Sequence, residues 1–363
     1  MPSSGWNPTH DPLPDEIIRE WHRTRKAEEI RQRAGLPRPI VSSTFQGQRV
    51  VAVGPYTYSG DWKTFPDFLA YYIRSILGNE WGAKELKKPF EEMHPIMQWF
   101  VEMCKFQRKQ TPNKDGMYKA TPNGATAAYL LLSYDLYILG HNAKMQDELV
   151  RRLKIKEQFQ GARYELFAAG TCIRAGFDLQ FEDETDRSKR HVEFVGTHRP
   201  TGQKISVEAK SRHRKGVLAV PGEAKAEDEI KVRIGSLLHD AMAKDHTYPL
   251  IVFIDLNIPP TKAETVFKKP ISNEVKKIIR GLTKEYGYVD KFNLLVLTNH
   301  PHHYGRPDEP DPRRDVFAII PRQSEMVPQY PGAIKVIFDE ALAYGKLPQF
   351  FPKDRVIREK VGE

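Results

Sequence analysis

Two glutamates and a lysine that a short hairpin would bring together are the strongest chemical signal in this chain of 363 residues. In a strand over residues 204–210 (KISVEAK), side chains alternate between two faces, so Glu208 and Lys210 share one face and the apolar residues take the other. Pro and Gly at the second and fourth positions of residues 199–202 (RPTG) are typical of a type I turn. Strands joined by that turn place Glu193 opposite Glu208 with Cβ atoms about 5 Å apart, unless a bulge in the turn shifts the register by one residue.

Paired carboxylates beside a lysine indicate a site for a divalent cation. Two like charges at that distance repel each other unless a cation lies between them. Mg²⁺ or Mn²⁺ takes one or two protein carboxylates and keeps its other positions for water and phosphate. Such a metal activates water and stabilises charge on a phosphodiester, and Lys210 would orient or deprotonate that water, or neutralise the phosphate. The alternative is an exposed hairpin edge whose charges only maintain solubility.

The elements around the hairpin predict an α/β unit. Hydrophobic periodicity predicts, in chain order, a helix at about 162–175, strands near 177–182, 192–196 and 204–210, a helix at about 224–244 and a strand at 250–256. In this order and with these residues, the segment 160–260 resembles the PD-(D/E)XK nuclease superfamily. The resemblance implies a restriction-endonuclease-like fold, a mixed sheet flanked by helices. Further alternating elements extend the expected sheet to six or seven strands.

The resemblance also assigns roles to individual residues. Glu208 and Lys210 occupy the (D/E)XK positions, Glu193 stands for the first acid, the Ala209 carbonyl is a further metal ligand, and Glu165 is the acid of the first core helix. The superfamily usually has Asp, often after Pro, where this chain has Val-Glu, which changes the geometry at the metal. Five rival first acids precede the hairpin: Asp178, Glu182, Asp183, Glu184 and Asp186.

The activity implied by the resemblance is that of a Mg²⁺- or Mn²⁺-dependent nuclease, and it favours DNA over RNA. The altered first acid keeps open a catalytically inactive module on the same fold that binds nucleic acid or protein, and a role in a defence or toxin system is a third possibility. Glu165 has its own alternative, a solvated acid in the first turn of a helix.

Four cations near the predicted site are candidates for phosphate contacts: Arg199, Arg212, Arg214 and Lys215. The alternative is a set of solvated loops. The formal net charge of +9, from 56 Lys and Arg against 47 Asp and Glu, permits a polyanionic partner without requiring one.

Cysteine usage and hydropathy bound the cellular setting. Cys104 and Cys172 are too few for a disulfide framework, and no Cys or His spacing indicates structural zinc, so we expect a reducing, cytoplasmic setting. The most apolar segment, 127–140, is too short to cross a bilayer, and the first residues do not resemble a secretory signal, so no membrane partner is expected.

Residues 1–150 are predicted to form a separate, mainly helical domain of unknown role, and residues 151–363 the nuclease-like α/β domain. The first is expected to contain one short strand at 49–53 and helices at 15–34, 64–77, 94–109, 125–139 and 146–158. Substrate recognition, a protein partner or a homo-oligomer contact would all suit it. Its aromatic cluster favours a hydrophobic core over a base-stacking platform: Phe65, Phe68, Tyr71, Tyr72 and Trp81. Residues 300–303 (HPHH) favour a polar loop over a metal site.

Overall fold

The computed structural model describes residues 35–114, 116–182, 191–212, 218, 234–257, 272–273, 275–276, 280, 292–300, 315–319 and 331–352. Several predictions lie outside these residues. They are the helix at 15–34, residues 224–233 of the helix at 224–244, the candidate phosphate contacts Arg214 and Lys215, and three rival acids, Asp183, Glu184 and Asp186.

A three-stranded antiparallel sheet precedes the first described helix. Its strands are β1 (Val41–Phe45), β2 (Gln48–Val53) and β3 (Tyr56–Gly60). The prediction of a single strand at 49–53 was therefore incomplete. The turn between β1 and β2 has positive φ at both Gln46 and Gly47, as a two-residue hairpin requires. Gln at the first of these positions is not a typical turn residue, which is why the sequence did not reveal the hairpin.

Eight α-helices of at least seven residues lie within the described part of the chain. They are α1 (Phe65–Leu77), α2 (Asn79–Glu85), α3 (Pro95–Arg108), α4 (Gly124–Asn142), α5 (Asp147–Leu153), α6 (Lys156–Arg174), α7 (Ile234–Met242) and α8 (Pro331–Ala343). Thr64 and Asp67 form a capping box at the start of α1, as helix-start signals predict. The single predicted helix at 146–158 is wrong, because the chain breaks between α5 and α6 at residues 154–155.

A six-stranded mixed sheet forms the centre of the α/β part, which confirms the predicted mixed sheet of six or seven strands. In spatial order it contains β4 (Phe177–Phe181), β5 (Phe194–His198), β6 (Lys204–Ser211), β7 (Leu250–Asp255), β8 (Leu294–Asn299) and β9 (Asp315–Ile319). The strands from β4 to β6 are antiparallel, β6 to β8 are parallel, and β9 is antiparallel to β8.

Helices cover both faces of this sheet. Apolar residues of β5, β6 and β7 such as Phe194, Val207 and Phe253 pack with α6 and α8 on one face. Val252 and Ile254 pack with α7 on the other face. Because both faces are covered, the central strands are apolar throughout, and a charged side chain on them is unusual.

The N-terminal helices continue into the α/β part. Helix α4 packs along α6, and one apolar cluster contains residues of α1, α4 and α6 together. Near the end of the described chain, the Phe351 ring lies 5.7 Å from the Phe65 ring, and Gln349 accepts a hydrogen bond from the Phe65 backbone. No described helix combines the length and the apolar character needed to cross a membrane.

Candidate active site

The β5–β6 hairpin has the register that its turn predicts. Its Cα partners run from Phe194 with Val207 to Thr197 with Lys204, so no bulge in the turn shifts the pairing. Gly202 has a φ of 70°, a conformation that glycine adopts without strain, and its N–H donates to the His198 carbonyl at 2.7 Å. The turn therefore fixes which residues of the two strands meet.

Glu193 departs from the ladder just beyond these pairs. Its backbone N–H donates to the Val207 carbonyl at 3.0 Å, while Val207 is already the partner of Phe194. Two consecutive residues opposite one are the mark of a β-bulge. Val192 packs on the α7 face of the sheet and Phe194 on the α6 face, although residues two apart in a regular strand share a face.

The bulge corrects the prediction that Glu193 lies in the strand directly opposite Glu208. The ladder ends at Phe194, and β5 begins there rather than at 192. The correction does not separate the acids, because the charge of Glu193 still acts on Glu208 and the Glu193 side chain also reaches Glu165. Val192 and Phe194, the neighbours of Glu193 in the chain, face opposite sides of the sheet. From the bulged position between them, the Glu193 side chain can contact Glu165 of α6 and still lie near Glu208 of β6.

Glu208 and Lys210 form an ion pair on the α7 face of β6. The Glu208 side chain is fully buried, and Lys210 Nζ lies 2.5 Å from its Oε1. Lys244, just after α7, places a second ammonium group 3.7 Å from the same oxygen. Burial and the nearby Glu193 charge raise the pKa of Glu208 to about 7, although the two lysines oppose the rise.

Lys210 is held as an ammonium ion. Burial alone would lower its pKa, but the charge and hydrogen bond of Glu208, together with the charges of Glu193 and Asp240, raise the pKa above its ordinary value. Of the roles that the sequence leaves open for Lys210, orienting water or neutralising a phosphate suits this charged state better than removing a proton.

Glu165 and Glu193 form a hydrogen-bonded carboxyl pair. Burial, followed by the charge and hydrogen bond of Glu165, raises the pKa of Glu193 well above its usual range. Two carboxyl groups close enough to form a hydrogen bond need a proton or a cation between them. Glu165 is buried on α6, so the alternative of a solvated helix acid is wrong.

Arg152, the penultimate residue of α5, holds Glu165 with two contacts. Its Nη2 lies 2.8 Å from Glu165 Oε2, and its Nη1 donates to Oε1 at 3.3 Å. A guanidinium that contacts both carboxylate oxygens fixes the orientation of Glu165. Arg152 was missed in the sequence, because nothing in the segment 147–153 distinguishes it from neighbouring surface arginines.

Glu208 and Glu193 have the donor chemistry that a divalent metal needs. Glu208 Oε2 is buried and has no hydrogen-bond donor among the described residues, so it is an acceptor that a metal ion could use. Burial and the neighbouring carboxyl group raise the pKa of each glutamate, and a bound cation would favour the ionised form of both. Within the described ranges, no three or more His, Cys, Asp or Glu side chains are grouped so that they could hold a metal ion. Ala209 lies between Glu208 and Lys210 on β6, with its side chain towards the opposite face.

The predicted phosphate contacts fare differently. Arg199 lies at the far end of β5 from Glu193, where its guanidinium pairs with Asp178 at 2.8 Å and donates to the Phe177 carbonyl. The structure therefore does not bring Arg199 to the carboxylates. Arg212 follows β6 and donates to the Leu256 carbonyl at 3.1 Å, so it braces the ends of two parallel strands.

Two further predictions concern the ends of β7 and β8. The sequence predicts that Asp255 ends its strand and caps the following turn, and this is confirmed, since Asp255 accepts the Asn257 backbone N–H at 3.3 Å. Asp255 also pairs with the buried Arg163 of α6 at 2.5 Å. The prediction of a polar loop at residues 300–303 is wrong for His300, which is fully buried with its ring 4.4 Å from that of Phe167. The preceding run of apolar residues in β8 was the signal that the buried segment continues.

Comparison of the chain with protein-family models, with curated proteins and with solved structures gave no match.

Proposed function

We propose that this protein is a metal-dependent nuclease that hydrolyses phosphodiester bonds. The observation that carries the proposal is the buried Glu208 carboxylate, which has one oxygen paired with Lys210 and the other without a donor in the described structure. A fully buried carboxylate in that state destabilises the folded protein unless a further cation or a proton compensates its charge. The bulged Glu193 beside it supplies the second acid of a metal site.

The residues of the site divide the work between them. Glu208 Oε2 and the Glu193 carboxylate would hold the metal, with the Ala209 carbonyl as an additional oxygen ligand. A Mg²⁺ or Mn²⁺ ion bound there supplies an activated water and charge stabilisation for the phosphodiester. Lys210 places a positive charge on the same face, where it would orient the water or neutralise the phosphate. Arg152 and Glu165 hold Glu193 in position from the other side.

Nucleic acid, with DNA favoured, is the substrate that this site supports best. The order of elements agrees with the resemblance to the PD-(D/E)XK nucleases: α6, three antiparallel strands, α7 and the parallel strand β7. The chain has a net charge of +9, which suits a polyanion. The choice of DNA over RNA rests on the resemblance alone.

Plasmid cleavage tests the proposal. We expect the wild-type protein to nick or linearise plasmid DNA with Mg²⁺ or Mn²⁺ and to be inactive in EDTA. Glu208→Gln and Lys210→Met should each lower the rate by about a thousandfold or more, because each removes a group that acts on the reacting centre. Glu157→Gln, an exposed acid in the first turn of α6, is the matched control and should cut like wild type. Equal cleavage by all variants, or cleavage in EDTA, would refute the assignment.

A non-catalytic module that binds nucleic acid is the second candidate. The ion pair between Lys210 and Glu208 favours it, since an ammonium group already neutralises part of the carboxylate that would bind metal. Titration of Mn²⁺ by calorimetry separates the two functions. Binding that Glu208→Gln abolishes supports the nuclease, whereas no heat at millimolar Mn²⁺ together with retained DNA affinity supports the module.

A further inference from the structure

A cleft of about 410 Å³ opens to solvent where α1 meets α2, beside the end of α5. Trp81, Lys84 and Lys154 line it, together with Leu77 and Glu80. Its volume is within the range of sites that bind small ligands, and its walls offer one large aromatic ring and two ammonium groups.

Trp81 and Tyr71 are less buried than the other three aromatic residues of the N-terminal cluster. Phe65, Phe68 and Tyr72 are at most 2% exposed, which confirms for them the predicted role in the core. Trp81 is only half-buried and contributes its remaining surface to the cleft. The His94 ring stands against it at 5.3 Å and 70°, so the indole is braced from behind. A fixed aromatic ring with a solvent-facing surface is suited to stacking.

The two lysines of the cleft are available for an anionic ligand. Neither Lys84 nor Lys154 forms an ion pair or a side-chain hydrogen bond within the described part of the chain. Glu80 contributes one negative charge to the rim, so the cleft keeps a net positive charge. An aromatic face beside unpaired cations is the combination with which proteins bind single-stranded nucleic acid.

The cleft is close to the carboxylate site. Lys154 directly follows the last residue of α5 and lies two positions after Arg152, whose guanidinium contacts Glu165 at 2.8 Å. Residues two apart at a helix end have Cα atoms about 5.5 Å apart. The end of α5 therefore carries both a residue that lines the cleft and a residue that contacts the acidic pair.

We infer that the cleft is a substrate subsite in which an unpaired base stacks on Trp81 while Lys84 and Lys154 contact the adjoining phosphates. The inference rests on the proposed nuclease function, because it supplies the single-stranded part of that substrate. It gives the N-terminal helices a role in substrate recognition. The subsite also implies that DNA with a frayed end, a single-stranded gap or no complementary strand is preferred over an uninterrupted duplex.

Binding measured without cleavage tests the role of Trp81. In EDTA, the fluorescence anisotropy of a labelled oligothymidine of about twelve nucleotides gives the affinity. Trp81→Ala should weaken binding by about 5- to 150-fold, the range for one stacked base, and Trp81→Phe should retain most of the affinity. Binding of a blunt duplex of equal length should change less than twofold. Unchanged affinity for the single strand, or an equal loss for the duplex, overturns the subsite.

Salt dependence tests the lysines with variants that do not touch the core. The double variant Lys84→Gln/Lys154→Gln should lower the slope of log affinity against log salt by about 1.4, since each phosphate contact on a single strand contributes about 0.7. Lys87→Gln, an exposed lysine of the same segment outside the cleft, is the control and should leave the slope unchanged. A double variant with the wild-type slope contradicts the inference.

The two proposals fail in distinguishable ways. Loss of affinity in Trp81→Ala together with no cleavage by the wild-type protein in Mg²⁺ would remove the nuclease and keep the cleft as a nucleic-acid site. Metal-dependent cleavage that Glu208→Gln abolishes, together with normal single-strand binding by Trp81→Ala, would keep the nuclease and remove the subsite.

Discussion

Asp135 and Glu208 are both fully or almost fully buried carboxylates, yet the protein treats them in opposite ways. Asp135 on α4 has a partner for each oxygen: Arg174 donates to Oδ1 at 2.9 Å, and the Tyr344 hydroxyl donates to Oδ2 at 2.8 Å. Glu208 has Lys210 at Oε1 and no donor at Oε2 among the described residues. A charge that serves only the fold is fully satisfied, whereas a charge with an unused acceptor and an acidic neighbour indicates a ligand.

Replacing the satisfied carboxylate of Asp135 should have the largest effect on stability. In Asp135→Asn the buried Arg174 charge loses its nearest carboxylate and keeps only Glu340 at 3.8 Å, so the free energy of unfolding should fall by about 3–5 kcal/mol, measured by urea denaturation. Asp178→Asn breaks the pair of an exposed acid with Arg199 and should cost less than about 1 kcal/mol. Equal losses in the two variants would show that burial does not distinguish these pairs.

Replacing the unsatisfied carboxylate of Glu208 should instead increase stability above neutral pH. Because the folded state raises the pKa of Glu208 from 4.5 to about 7, the stability linked to its proton is complete below pH 4.5 and is lost as the pH rises through 7. Gln at this position does not titrate. The free energy of unfolding of Glu208→Gln, relative to wild type, should therefore rise by about 3 kcal/mol between about pH 4.5 and pH 8.5. If the difference in unfolding free energy between Glu208→Gln and wild type stays constant with pH, the raised pKa of Glu208 is contradicted.

Metal binding should restore the stability that the folded protein loses when Glu208 ionises. At about ten times its dissociation constant, Mn²⁺ should stabilise the wild-type protein at pH 8 by about 1.4 kcal/mol, visible as a higher melting temperature. Glu208→Gln should show no such rise, and Glu157→Gln should respond like wild type. A metal response that survives in Glu208→Gln would place the ion elsewhere.

The smallest effect is expected at the arginine that orients Glu165. Arg152→Gln removes a partly buried, two-contact pair and should lower the free energy of unfolding by about 1 kcal/mol. Its neighbour Arg151 pairs with the exposed Glu148, so Arg151→Gln should change stability by less than about 0.5 kcal/mol. The two variants differ by one position in α5, and an equal response would remove the special role of Arg152.

The sequence alone was enough to predict the hairpin and the sharing of one face by Glu208 and Lys210. Both depend on local chemistry: the Pro and Gly of the turn set the register, and strand alternation sets the face. The bulge at Glu193 could not be predicted, since it follows from Val192 and Phe194 packing into cores on opposite faces of the sheet.

The partners that complete the site also lay beyond sequence reasoning. Arg152 reaches Glu165 because a short break separates α5 from α6, and that break falls inside what periodicity predicted as one helix. Lys244 reaches Glu208 from the element that crosses between the parallel strands β6 and β7. Contacts of this kind depend on how helices pack, and no local pattern encodes them.

Crystals soaked in Mn²⁺ and examined by anomalous diffraction test the central claim most directly. We expect one ion about 2.1 Å from Glu208 Oε2, with the Glu193 carboxylate as a second ligand and Lys210 on the same face. An ion bound away from both glutamates, or no ion while Lys210 and Lys244 still pair with Glu208, would contradict the assignment of these carboxylates to a metal site.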